Sequence, residues 1–196
     1  MLLKGCLTFC FQNGKEQILA SAYTFETKRL RVQAWSASSL PSIGTLEFRE
    51  EYSPLLTPTV LKHLPEALQL SDSENAIERW LEERVAESDL LTVRDSKGIL
   101  IGLLILAQLP EQETLATVHV GYLFSEAAWG RGYATELIAG LIDWYRDTRT
   151  SVLIIGGVEK GNAASARVLQ KNGFERMKDY SDPETDMFSK RITEHS

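Results

Sequence analysis

Residues 129–136 read Trp-Gly-Arg-Gly-Tyr-Ala-Thr-Glu, and they part an alternating run, ATVHVGYLF at 116–124, from a helix-like one. In the latter, Leu137, Ile138, Leu141, Ile142 and Tyr145 recur at helical spacing. Any fold of this chain must therefore turn from strand into helix through Gly130 and Gly132. Fixing glycine costs backbone entropy, so it sits where a side chain would obstruct. The first turn of the helix leaves N–H groups unpaired, and the helix dipole adds partial positive charge there. Small residues at that point let a phosphate or pyrophosphate approach the backbone, and Arg131 adds a cation. On the glycines alone, a tight turn that merely precedes a helix explains the stretch equally well.

What the stretch lacks narrows the anion. A triphosphate-binding loop carries a Lys-Ser/Thr pair after its last glycine, whereas Gly132 is followed by Tyr133 and Ala134. A dinucleotide fingerprint needs a third small residue at longer spacing, a parallel βαβ unit and a later acid. The run at 116–124 instead follows two other strands in an antiparallel meander, which weakens that reading.

Before the meander, RLRVQAW (29–35) alternates as a first strand, and residues 36–72 are short helical pieces broken by Pro41, Pro54, Pro58 and Pro65. SDSENAIERWLEERVAES (71–88) opens on a capping cluster, with Ile77, Trp80, Leu81 and Val85 at helical spacing. LLTVRD and ILIGLLILAQL are strands joined at Ser96-Lys97-Gly98, and the charged turn PEQET leads to the third. A helix at about 132–146, a buried strand SVLIIGGV and a helix in NAASARVLQKNG ending at Gly173 follow. A strand pair across Ser181-Asp182-Pro183 closes the order. The expectation is a mixed α/β fold with a largely antiparallel central sheet flanked by helices. No repeat or low-complexity linker interrupts it, so residues 1–22 read as an N-terminal extension and 23–196 as one domain.

A formal charge of -6 argues against bulk binding to nucleic acid or to an anionic membrane, which needs a basic face. Cys6 and Cys10, four apart with no nearby histidine, make a poor metal site and read as two reduced thiols. The apolar start is broken by QNGKEQ, which excludes a secretory leader, and no apolar run approaches the ~20 residues of a membrane span. A cytoplasmic location is expected.

The run HVGYLFSEAAWGRGYATELIAGLIDW (119–144), followed by GNAASARVLQKNGFE (161–175), resembles the GNAT superfamily of acyl-CoA N-acyltransferases. It is similar in particular to the branch of the ribosomal-protein N-terminal acetyltransferases, which FETKRLRVQAW (25–35) and the Trp80-Leu81 helix also fit. The resemblance runs in order over residues 25–192. It implies acetyl-CoA as cofactor and a GNAT-like sheet splayed at the strand ending near Phe124. The family's phosphate motif maps onto Trp129, Gly130, Arg131, Gly132, Tyr133 and Ala134, with Trp129 departing from the usual Gln or Arg. Backbone N–H groups from 130 to Thr135 would hold the pyrophosphate of coenzyme A. The main chain at Tyr122, Leu123 and Phe124 would pair with the pantetheine arm as an extra strand.

Transfer to an amine requires the amine to be neutral when it attacks, so a base or a water chain must remove a proton. Related enzymes often place a glutamate two residues before the Gly-Tyr pair; here His119 stands there, on one strand face with Gly121 and Leu123. An imidazole is a reasonable base near neutrality, and an ordinary sheet residue is the alternative. His63 and His195 read as surface residues. Many GNAT enzymes carry a tyrosine acid seven residues after the motif asparagine, but from Asn162 that count lands on Leu169. Ser165 is the remaining hydroxyl near the thioester sulfur, and Asn162 would contact the pantetheine. Helix capping is a sufficient alternative for both.

LEFREEYSPLLTP, with Glu47, Glu50, Glu51 and Tyr52, would build the acceptor wall, unless it is a solvated charged face. The expected activity is acetyl transfer to a primary amine, either a small molecule or a protein N-terminus, in a ternary complex. A non-catalytic acyl-CoA-binding module of the same fold is the alternative. The oligomeric state stays open, a homodimer included.

Overall fold

The computed structural model describes residues 24–35, 44–109, 115–148 and 150–193. The extension at 1–22, both cysteines, His195 and the charged turn at 110–114 lie outside them. The described strands are β1 (Thr24–Glu26), β2 (Leu30–Ala34), β3 (Asp89–Asp95), β4 (Leu100–Gln108), β5 (Ala116–Phe124), β6 (Val152–Glu159), β7 (Glu175–Arg176) and β8 (Thr185–Ile192). They form one sheet in the order β1-β2-β3-β4-β5-β6-β8-β7. All neighbours pair antiparallel except β5 and β6, which run parallel. A parallel pair needs a long crossover. The helix expected at 132–146, found at Tyr133–Asp147, supplies it.

Helices cover both faces. α1 (Leu46–Tyr52), α2 (Pro58–Leu61) and α3 (Ala76–Glu87) bury Phe48, Tyr52, Leu61, Trp80 and Leu81 against Leu103, Ile105 and Leu123 on one face. On the other, α4 (Tyr133–Asp147) and α5 (Ala163–Lys171) bury Leu137, Ile138, Leu141 and Leu169 against Leu104, Leu106, Val118 and Ile154. This two-sided covering explains why β4 is apolar at nearly every position instead of alternating. Among the described residues no helix is long and apolar enough to cross a membrane, and no three His, Cys, Asp or Glu side chains gather as metal ligands.

Two local expectations shift. A short strand, β1, precedes the expected first one and pairs with it through a turn at 27–29. The capping cluster at 71–75 lies one turn ahead of α3, whose N-cap Asn75 makes no side-chain cap hydrogen bond. The turn at Gly98 is as expected: φ is +82°, and its N–H donates to the Asp95 carbonyl at 2.9 Å.

Gly102 fixes how closely β4 approaches β5. A Cβ there would stand 2.6 Å from the Leu123 carbonyl oxygen and 2.8 Å from the Phe124 ring. Backbone cannot yield as a flexible side chain can, so Gly102→Ala should destabilise the protein by ~1–3 kcal/mol, as overpacking does. Denaturant unfolding of the variant checks this, and an unchanged midpoint would show that the two strands separate freely.

Candidate active site

β5 and β6 pair only from Ala116↔Val152 to His119↔Ile155. Beyond that register β5 stays on β4 as far as Phe124, while β6 stays on β8 as far as Glu159. The sheet therefore opens into a wedge. The Ser125 N–H donates to Ile101 and the Leu109 N–H to Thr117, which sets the phase of the β4–β5 ladder. By alternation, the main-chain groups of Val120, Tyr122 and Phe124 face the wedge, while those of Leu123 face β4. This corrects the expectation for Leu123. The Phe124 carbonyl is also engaged, accepting the Trp129 indole N–H at 2.8 Å, and the His119↔Ile155 pairing uses the Val120 N–H, so the open groups of this edge centre on the Val120 carbonyl and on Tyr122.

At the mouth of the wedge the chain turns through Gly130 (φ +70°) and Gly132 (φ +78°), left-handed conformations that side chains disfavour. Gly132 is the N-cap of α4, and the Glu136 N–H is the first to reach back to it, at 3.1 Å. The N–H groups of Tyr133, Ala134 and Thr135 thus belong to the unpaired first turn. The Tyr133 side chain is buried and stacks on Phe124, with ring centroids 6.4 Å apart, so only its backbone is offered. Ala134 packs half-buried on the core, and the Thr135 carbonyl accepts from Asn172 of the α5 C-cap at 3.3 Å.

A residue that the sequence reading passed over holds this turn. Arg29 donates through Nε to Glu136 at 2.6 Å and through an NH group to the Arg131 carbonyl at 2.9 Å. Its guanidinium lies 4.6 Å from the Tyr133 ring centroid, and that of Arg131 lies 5.3 Å away. Glu136 also accepts from the Thr27 hydroxyl at 2.6 Å and the Arg29 N–H at 2.8 Å. The first hairpin is thereby bolted to the start of α4.

Inside the wedge lies a cleft of about 60 Å³ lined by His63, Gly121, Tyr122, Gly157, Glu159 and Ser165, among others. A larger groove of about 500 Å³ lies between β1 and α4, away from this chemistry. The Tyr122 hydroxyl and Ser165 Oγ are 2.8 Å apart. Burial pushes the Tyr122 phenol up to about 12, only partly offset by the Ser165 hydrogen bond. Asn162 is the N-cap of α5, its side-chain oxygen accepting from the Ser165 N–H at 3.0 Å. Ser165 is thus the capped residue, and its hydroxyl, not needed as a cap, meets Tyr122 in the cleft.

A family model for the acetyltransferase (GNAT) domain matches residues 29–175, most of the chain. The chain belongs to this GNAT acetyltransferase family. The fold agrees. An acetyltransferase (GNAT family) structure from Bacillus anthracis matches with TM-score 0.61 at 16% identity, over 87% of this chain and 98% of that one. The ribosomal-protein-S5-alanine acetyltransferase from Vibrio fischeri gives 0.59 at 18%, over 86% and 96%. The spermidine N-acetyltransferase from Vibrio cholerae, solved with CoA and spermine, gives 0.62 at 15%, over 85% and 96%. The uncharacterized protein YkkB of Bacillus subtilis (strain 168) is 33% identical over 66 residues, which span 33% of this chain and 38% of that protein.

Within this GNAT domain the cleft is lined by His63 and not by His119. His119 stands at the last paired register, opposite Ile155, on the α1–α3 face that alternation assigns it. Burial disfavours its charged form and lowers its pKa below the usual value. The cleft-lining histidine is His63, whose Nδ1 is 2.5 Å from Glu159 Oε2. The expected acceptor wall is partly consumed: Tyr52 is buried in the core, and Glu51 pairs with Arg94 at 2.6 Å. Glu47 and Glu50 are exposed.

Burial opposes ionisation of Glu136, but its bonds from Thr27 and Arg29, with the Arg29 charge, hold the carboxyl below its usual range. A depressed folded value stabilises the fold above the ordinary glutamate pKa of ~4.3, and the effect is lost as pH falls through the folded value. Glu136→Gln should therefore be less stable than the parent at pH 7, with the gap closing on acidification. Unfolding midpoints across pH 3–7 check this (the range is set by the ~4.3 reference); a gap independent of pH would assign it to hydrogen bonding alone.

Proposed function

We propose that the chain transfers an acetyl group from acetyl-CoA to a primary amine by direct attack in a ternary complex. The observation that carries this reading is the wedge: an open strand edge leads from an anion-binding helix N-terminus to a paired tyrosine and serine. Coenzyme A fits those residues. The first-turn N–H groups and the left-handed glycines suit a pyrophosphate, and the Val120 carbonyl and Tyr122 main chain suit the pantetheine amides. Bound there, acetyl-CoA supplies an activated acyl group; the remaining work falls to side chains. The names of the Vibrio fischeri and Vibrio cholerae proteins support an amine acceptor, either a protein N-terminus or a small amine.

Ser165 faces the departing thiolate as a hydrogen-bond donor. Tyr122 cannot act as a strong acid through it: a phenol at about 12 holds its proton far more tightly than a thiol of pKa ~8.5. The hydroxyl pair stabilises the leaving sulfur, and the thiolate takes its proton from water. Leu169 in place of a tyrosine acid favours one competing reading, a non-catalytic acyl-CoA-binding module.

Two measurements test this reading. Asp tolerates left-handed backbone and brings a negative charge, so Gly132→Asp should keep the fold and weaken CoA binding by ~100-fold or more. Unchanged affinity by calorimetry would remove CoA from this turn. Ser165→Ala should slow thiol release from acetyl-CoA by ~10- to 100-fold with little change in melting, since Asn162 does the capping. No thiol release by the parent with any amine would favour the binding module.

A further inference from the structure

β6 ends at Glu159, whose side chain lies by alternation on the same sheet face as Ile155 and Gly157, the face toward α1–α3. Two residues after α2, on that same side, stands His63. The chain separation is 96 residues, and the two meet with Nδ1 and Oε2 2.5 Å apart, at the rim of the cleft that holds Ser165. His63 is about one-third exposed and Glu159 about half, so the pair is reachable from solvent.

A carboxylate can only accept, so the contact places the proton of a neutral imidazole on Nδ1 and leaves Nε2 with a free lone pair. This is the arrangement of a base held in one tautomer by an acid behind it. The glycines at 121 and 157 keep the two strands bare on this face, and a Cβ on Gly157 would already stand 3.2 Å from Met187. Room is thus kept between the dyad and the wedge. Of the other charged or titratable groups, Tyr122 lines the cleft from β5, and His119 lies further back on the same face. Lys160 sits 4.0 Å from Asp186 on β8, and Lys62 adjoins His63 in sequence.

We propose that His63 is the catalytic base that receives the proton of the attacking amine, with Glu159 as its positioning residue. This rests on the acyl-transfer reading. The amine nitrogen forms the C–N bond and the C–S bond breaks, releasing thiolate. The surplus proton on nitrogen passes to His63 Nε2 and from there to water. The thiolate regains a proton from solvent, so a neutral amine and a thioester give an amide and a thiol.

The test uses the whole chain with acetyl-CoA, and spermidine, an aminoglycoside and an alanine-terminated peptide as acceptor probes. His63→Gln should lower kcat/KM for the acceptor by ~10²-fold or more and abolish the acid limb of its pH profile, with CoA affinity by calorimetry unchanged. Glu159→Gln should lower kcat while KM holds, because the imidazole is no longer held in one tautomer. A purely structural contact would leave kcat and the acid limb unchanged in both variants. Equal turnover and pH profile in parent and His63→Gln, or loss of the acid limb in His119→Asn alone, would overturn the assignment. If the parent binds CoA yet releases no thiol with any probe, the acyl-transfer reading itself falls, and the dyad with it.

Discussion

Everything near the cleft depends on two parallel strands that pair for four residues and then stop. Each keeps its other neighbour after the parting, so neither loses its ladder and the sheet does not fray. β5 is held by β4 through a glycine-mediated close approach, and β6 by β8 over its whole length. What would be a costly unpaired edge in a closed sheet becomes a set of backbone groups at a fixed spacing. The turn that follows Phe124 then carries the chain directly into α4, so strand edge and helix N-terminus share one frame.

That frame is tied at three points far apart in sequence. Glu136 binds the first hairpin to α4, Asn172 binds the end of α5 to Thr135, and the Thr57 hydroxyl donates to Glu126 at 3.0 Å. The last contact joins the helical wall of residues 44–70 to the turn after β5. A change in how that wall packs would be felt at the turn and at His63 together.

Much of this was legible in the sequence. The strand at 116–124 has the bounds read from its alternation, and the two glycines lie at left-handed positions for the reason their spacing suggested. Family membership followed from motifs kept in order along the chain. What was not legible depends on phase, turn path and distant contacts. Which side of β5 Leu123 presents depends on ladder phase, and the bond from Trp129 to Phe124 depends on the path of a turn. Tyr52 was read as part of a charged run, but helical phase turns it into the core with Phe48. His63 lies among prolines with no periodicity, so nothing local announces a partner on β6. Contacts across a hundred residues leave no trace in local pattern when only one side chain at each end makes them.

The electrostatics of the glycine turn have a further consequence. Arg29 is compensated by Glu136, so its charge contributes little beyond contact range. Arg131 forms no ion pair among the described residues and is the uncompensated cation there. An anion seated at the turn is therefore held chiefly by backbone N–H groups at contact distance, inside the ~8 Å over which physiological ionic strength screens. Salt should alter how fast such an anion arrives, through the field of Arg131, far more than how long it stays.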